Sequence, residues 1–183
     1  RQLRKHRRMN ERKAIERPYL LFLGDAHDHL AVKTARGIAD WRRDWCLGQL
    51  RLEGCNASAG VADISVAEAA EQGARTLIVG VANRGGIIPD NWLDTLSEAL
   101  DLGMDLASGL HMRLNDIQVL RDKAVAKGAT LFDVRHPHRD FPLGSGAKRA
   151  GKRLLTVGSD ASVGKMYTTL AIEQELKACG VSA

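Results

Sequence analysis

The chain has 183 residues, 44% hydrophobic, 27% charged and 4% aromatic, an ordinary globular balance that argues against disorder, collagen and coiled coil. No run approaches the roughly 18 apolar residues of a membrane span, and the first residues lack the apolar core of a secretory signal, so a soluble cytoplasmic protein is expected. The net charge of +5 is unevenly placed: residues 1–17 hold eight Lys or Arg against two Glu, while the other 166 residues hold 19 basic and 20 acidic side chains, about −1.

The arm over residues 1–17 has no aromatic residue to stack on bases and no heptad pattern, so a solvated arm or helix is preferred and nucleic acid is disfavoured as a partner. The chain begins with Arg and carries Met9 inside the basic run, so its first residue is not expected to be the natural start. Cys46, Cys55 and Cys179 are widely spaced and odd in number, without a CxxC, which points to buried or idle thiols.

Pro18 closes the arm. The apolar run Tyr19-Leu20-Leu21-Phe22-Leu23, followed by Gly24-Asp25, predicts a buried strand opening into a loop. Residues 30–42 predict a helix, and Leu47–Leu52 a weaker second strand. Ser65-Val66-Ala67-Glu68 is a capping box, in which serine and glutamate satisfy each other's backbone donors, and the Ala-rich helix behind it stops at Gly73. Thr76–Val81 is apolar and β-branched throughout, which suits a strand covered on both faces. Its loop Asn83-Arg84-Gly85-Gly86 is glycine-rich. Asp90 is then placed to cap a helix carrying Leu93, Leu96 and Leu100 at helical spacing and ending at Gly103. Met104–Ala107 predicts a fourth strand, residues 115–127 a helix stopped by Gly128, and Ala129–Val134 a fifth strand.

Strands and helices that alternate in this way predict an α/β fold, a doubly wound parallel Rossmann-like sheet over residues 18–134 with right-handed crossovers. Ligands of such sheets collect at the carboxyl ends of the strands. Those ends are Asp25–His29, Asn83–Gly86, Ser108–Arg113 and Arg135–His138. Residues 135–152, with two prolines, three glycines and many basic side chains, read as a linker.

A second unit is expected over residues 153–183: a strand at Leu154–Val157, a glycine-bounded loop, and a helix over 166–179. A single strand-loop-helix has no further strands against which to bury its face. The chain is therefore expected to be a fragment holding only the opening of a P-loop domain, and to be inactive alone.

Gly158-Ser159-Asp160-Ala161-Ser162-Val163-Gly164-Lys165 lies between that strand and helix, where a phosphate-binding loop belongs. Loop amides, the helix N-terminus and the lysine ammonium together favour a polyphosphate. Five residues, rather than the usual four, separate Gly158 from Gly164, as in the longer loop of dethiobiotin synthetase and its relatives. Met166 stands where Ser or Thr would ligate Mg²⁺, and Thr169, about 4.5 Å further along the helix, is a poor replacement. A cradle without its magnesium ligand suits holding a diphosphate, such as that of coenzyme A, better than cleaving one.

The other polar clusters are less specific. Asp25, His27, Asp28 and His29 have metal-ligand chemistry, but alternating histidines on a loop are more often solvated or hydrogen-bonded, and no metal site is assigned. Arg84, Arg113 and Arg135 each follow a strand, where guanidinium forks clamp a dicarboxylate or form surface salt bridges. His111 and His136 are candidates for a general base or for structural histidines.

Tyr19–Asp25, Gly80–Gly86, Ala107–His111, Asp133–Pro137, Gly151–Asp160 and Val163–Met166 together resemble the DgcN family, long catalogued as a domain of unknown function, which includes bacterial D-glutamate N-acetyltransferases. The resemblance covers roughly residues 18–183. It implies a Rossmann-like domain followed by a P-loop domain of the dethiobiotin synthetase type, and transfer of an acetyl group from acetyl-CoA to the amine of D-glutamate in D-amino-acid catabolism. Met166 belongs to the family's loop; Ala161 departs from it, since the family pattern has cysteine there.

On this reading Gly158, Ser159, Asp160, Ser162, Val163, Gly164, Lys165 and Met166 hold the cofactor. Arg84, Arg113 or Arg135 binds carboxylate, and His111 or Asp25 accepts the proton. A homo-oligomer is compatible with it. The principal alternative is an enzyme that binds ATP with Mg²⁺ in the same loop and phosphorylates a carboxylate; the other is a non-catalytic nucleotide or nucleic-acid binder using the basic arm.

Overall fold

The structure, a computed structural model, describes residues 14–137, 140–148, 150–160 and 163–183. Most of the basic arm, residues 1–13, lies outside them, as do Ala161 and Ser162 of the loop. The chain divides into two compact units between residues 138 and 139.

The first unit is a sheet of five parallel strands: β1 (Tyr19–Gly24), β2 (Cys46–Arg51), β3 (Thr76–Val79), β4 (Asp105–Ser108) and β5 (Leu131–Asp133), in the order β2-β1-β3-β4-β5. Its α-helices among the described residues are α1 (Lys33–Trp41), α2 (Val66–Glu71), α3 (Leu93–Asp101) and α4 (Gln118–Lys127). The chain steps from β1 to one edge, then crosses back over β1 and proceeds to the other edge. With right-handed crossovers, that reversal sends α1 to one face and α2, α3 and α4 to the other. The last three pack side by side.

Covered on both faces, β1 is buried at every residue, which is why it reads as an unbroken apolar run. Its Phe22 meets the buried Trp92 edge to face, with ring centroids 5.3 Å apart. The capping box at Ser65 is formed in both directions, from the Glu68 amide to the Ser65 hydroxyl and from the Ser65 amide to the Glu68 carboxylate. Gly128 ends α4 in the left-handed conformation.

Three expectations are corrected. Asp90 does not cap α3: it opens a 3-10 turn, Asp90–Trp92, without a side-chain cap bond, because Trp92 is drawn into the core and the helix starts behind it. Leu30 is exposed and lies before α1, which starts at Lys33. The segment Leu154–Val157 is not a strand, and Leu155 and Val157 are 83% and 80% exposed, since the described residues of the second unit offer no strand for it to pair with.

The end of the arm is tied to the first unit. Arg75 pairs with Glu16 at 3.1 Å, the Thr76 hydroxyl donates to the Glu16 carbonyl at 2.7 Å, and the Arg17 guanidinium lies over the Trp45 ring. In the second unit, α5 (Lys165–Ala178) follows the loop and buries none of its residues. No helix among the described residues is long and apolar enough to cross a membrane.

Candidate functional site

The direction of winding reverses between β1 and β3, and their carboxyl ends diverge there into a crevice, the usual ligand position in open α/β sheets. A cavity of about 540 Å³ occupies it, lined among others by Asp25, His27, Asp28, Lys33, Arg84 and Trp92. Two wider depressions, about 770 and 670 Å³, lie elsewhere. Their arginines are already engaged: Arg51 with Asp63 in one, Arg75 with Glu16 and Arg17 with Trp45 in the other. In the crevice, neither Lys33 nor Arg84 has a carboxylate partner among the described residues. Of these three cavities, the crevice offers unneutralised cations to a ligand.

Asp25 is partly buried and fixed. The Trp92 indole N–H donates to Oδ1 at 3.0 Å and the Asn91 amide to Oδ2 at 3.3 Å. The indole bond is the main cause holding the Asp25 carboxyl below the ordinary carboxylate range; Asn91 and the nearby His27 act in the same direction, against burial. The geometry that fixes Asp25 is tight, since a Cβ on Gly24 (φ +54°) would fall 2.6 Å from Trp92 Cζ2. Asp28 Oδ1 accepts from the Ala31 amide at 2.9 Å and stiffens the turn into α1.

The loops after β3, β4 and β5 are bound to one another. The Met112 amide donates to the Gly86 carbonyl at 2.8 Å, the Val134 amide to the Ser108 carbonyl at 3.0 Å, and His136 Nε2–H to the His111 carbonyl at 2.9 Å. Gly86 is buried against His111: a Cβ there would stand 2.5 Å from His111 Cδ2. His111 therefore leans on the turn that carries Arg84. Arg113 and Arg135 are exposed on the next two loops, and Asp133 secures the first of these by accepting from the Leu114 amide at 2.6 Å. Of the candidates read from sequence, Asp25 and Arg84 share the crevice. His111 touches its rim at Gly86, and Arg113 and Arg135 lie outside its lining.

In the second unit, the loop after residue 157 closes on itself. The Lys165 ammonium donates to the Asp160 carbonyl, and a Cβ on Gly158 would lie 2.6 Å from Val163 Cγ2. Gly164 (φ +86°) turns the chain into α5. The Thr169 hydroxyl donates to the Lys165 carbonyl at 2.9 Å and stands 2.6 Å from the Thr156 hydroxyl, so it is held within the fold of the loop. Met166 is exposed. Among the described residues, no three His, Cys, Asp or Glu side chains cluster to hold a metal ion.

Residues 50–137 match the Rossmann-like N-terminal domain of the DUF1611 family, a domain of unknown function, and residues 142–183 match its P-loop domain. The chain belongs to the DUF1611 family. It is 53% identical over 169 residues to a protein named D-glutamate N-acetyltransferase from Tritonibacter scottomollicae, covering 92% of this chain and 51% of that one. It is 48% identical over 163 residues to a protein of the same name from a Pseudoalteromonas species, covering 89% and 49%. The chain spans about half the length of these curated relatives. A crystal structure of a DUF1611 family protein from Anabaena variabilis superposes with a TM-score of 0.69 at 27% identity, over 90% of this chain and 51% of that one.

Within this DUF1611 chain, sequence reasoning overlooked Lys33, Asn91 and Trp92. Lys33 had a positional signal, as the first helical residue after the first strand's loop. Trp92 had none, because its role depends on reaching Asp25 across 67 positions of sequence.

Proposed function

We propose that this chain carries elements of an N-acetyltransferase that moves an acetyl group from acetyl-CoA to the amine of D-glutamate. The observation that carries the reading is the loop over residues 158–166, with a lysine ammonium, one glycine (Gly158) that leaves no room for a side chain, a second (Gly164) in the left-handed conformation, and no side-chain hydroxyl at the magnesium position. It is supported by the names of the two relatives similar to this chain. In the reaction an amine N–H is lost, an N–C bond forms at the acetyl carbonyl, the C–S bond breaks, and the products are N-acetyl-D-glutamate and free CoA. Acetyl-CoA supplies an activated thioester.

The loop amides and Lys165 are proposed to hold the CoA phosphates, with Gly158, Ser159, Asp160, Ser162, Val163, Gly164 and Met166 shaping the cradle. Of Arg84, Arg113 and Arg135, it is Arg84, in the lining of the crevice, whose guanidinium is proposed to hold carboxylate. His111 is preferred over Asp25 as proton acceptor. A carboxyl already stabilised in its charged form by Trp92 and Asn91 is a weak base, whereas the His111 imidazole stands at the crevice rim against Gly86. The alternative with ATP and Mg²⁺ draws less support, because Thr169 is engaged by the Lys165 carbonyl and Thr156.

The test is calorimetric titration of acetyl-CoA into the chain, with and without EDTA, for the natural sequence and Lys165→Ala. The expected result is magnesium-independent binding that weakens about tenfold or more in the variant, the loss of one charge-assisted hydrogen bond set. Unchanged affinity, or binding of Mg-ATP but not acetyl-CoA, would overturn the assignment.

A further inference from the structure

The crevice at the carboxyl ends of β1 and β3 carries charge of both signs. Asp25 and Asp28 face it from the first loop, Lys33 from the start of α1 and Arg84 from the turn after β3. The two cations have no carboxylate partner among the described residues, whereas Asp25 is oriented by Trp92 and Asn91. The elements bearing them are joined by backbone. The Ala82 amide donates to the Ala31 carbonyl at 2.7 Å and the Ala35 amide to the Gly80 carbonyl at 3.2 Å. The approach is so close that a Cβ on Gly80 would fall 2.5 Å from the Ala35 Cβ. The starting points of the Lys33 and Arg84 side chains are thus fixed relative to each other before any ligand arrives, which reduces the ordering cost of binding.

A ligand that complements this lining offers two anionic groups and one cationic group within a small volume. A phosphate ester lacks the cation and meets two carboxylates. A neutral amino acid side chain leaves one of the two cations without a counter-charge. A zwitterion with a second carboxylate matches all of them.

We propose that this crevice is the acceptor subsite for an acidic amino acid, in which Lys33 and Arg84 each bind one carboxylate and Asp25, with Asp28, faces the amino group. The inference rests on the acetyltransferase reading for the identity of the acceptor, and it adds Lys33 as a specificity-determining residue. The amino group arrives as ammonium beside Asp25, and its proton must leave before attack. A fixed carboxylate positions that nitrogen without itself needing to be the base.

The experiment is titration calorimetry of the chain with D-glutamate, D-glutamine and glutarate, so that binding is read without acetyl transfer. D-Glutamate is expected to bind about tenfold or more tightly than either analogue, since each lacks one charged contact. Lys33→Ala and Arg84→Ala should each weaken D-glutamate about tenfold. One of the two should also collapse the preference over D-glutamine to within about threefold, identifying the cation that reads the side-chain carboxylate. The double variant Arg113→Ala/Arg135→Ala should bind as the natural sequence does. Both cations of the crevice are exposed, so their removal leaves the core packing intact.

If D-glutamate binding survives loss of Lys33 and Arg84 but not of Arg113 and Arg135, the carboxylates sit on the later loops. The inference is then overturned while the acetyltransferase reading stands. If none of the three compounds binds, the acceptor identity falls and the inference with it.

Discussion

Gly86→Ala tests whether the loops after β3 and β4 form one rigid rim. Gly86 has φ +60°, and a methyl group there would stand 2.5 Å from His111 Cδ2 and 2.8 Å from the His111 backbone nitrogen. The left-handed conformation costs an L-residue roughly 1–2 kcal/mol, and forcing a methyl into an occupied position adds roughly 1–3 kcal/mol. A total destabilisation of about 2–5 kcal/mol follows from the two costs together. Gly85 is an internal control: it has φ +83°, but the atom that a methyl group there would meet first is Ile87 Cγ2 at 3.6 Å, an ordinary contact. Gly85→Ala should cost only the conformational part, about 1–2 kcal/mol. Urea unfolding followed by tryptophan fluorescence measures both, because Trp41, Trp45 and Trp92 all lie in the first unit and report on it alone. Equal costs for the two variants would refute the reasoning, since the steric part would then be absent and His111 free to move aside.

Two further predictions concern residues that hold the site in place. Trp92→Phe removes the indole donor to Asp25; because the folded carboxyl lies below its ordinary value, that bond stabilises above about pH 4 and its contribution is lost as pH falls through the lowered value. The hydrogen-bond part of the cost should be about 1–2 kcal/mol near neutrality, discounted because Asp25 is only partly buried, and smaller at about pH 3. Urea midpoints followed by circular dichroism at the two pH values would show this, and an equal cost at both would count against it. Asp133→Ala removes the acceptor for the backbone amides of Leu114 and Asn115 and for the Asn115 side chain, which should cost about 1–2 kcal/mol and raise hydrogen exchange at those two backbone amides. Unchanged exchange would show that Asp133 does not secure the loop bearing Arg113.

Much of the architecture was legible because parallel strands covered on both faces leave an unbroken apolar signature. Tyr19–Leu23 and Thr76–Val79 announce themselves in this way, and the capping box at Ser65 marks its helix to the residue. Asp90 misled because its type and position suit a cap, yet the burial of Trp92 outweighs one capping bond and delays the helix. Leu154–Val157 has strand composition, but composition does not supply a partner for its backbone groups. In the site, residues within one loop were readable and relations between loops were not. Asp25 and Arg84 could be named singly, while their meeting with Lys33 in one crevice follows from the pairing of β1 with β3.

The position of β1 between β2 and β3 also bears on synthesis. This strand is made before either of its neighbours, and its partners span residues 46–51 on one side and 76–79 on the other. Until Val79 has left the ribosome, Leu20, Leu21, Phe22 and Leu23 belong to a nascent chain that lacks one of their two β-sheet neighbours. The most apolar stretch of the first unit therefore waits longest for cover, and a slow codon or a stall between β2 and β3 would lengthen the interval in which a chaperone, or another nascent chain, finds it first.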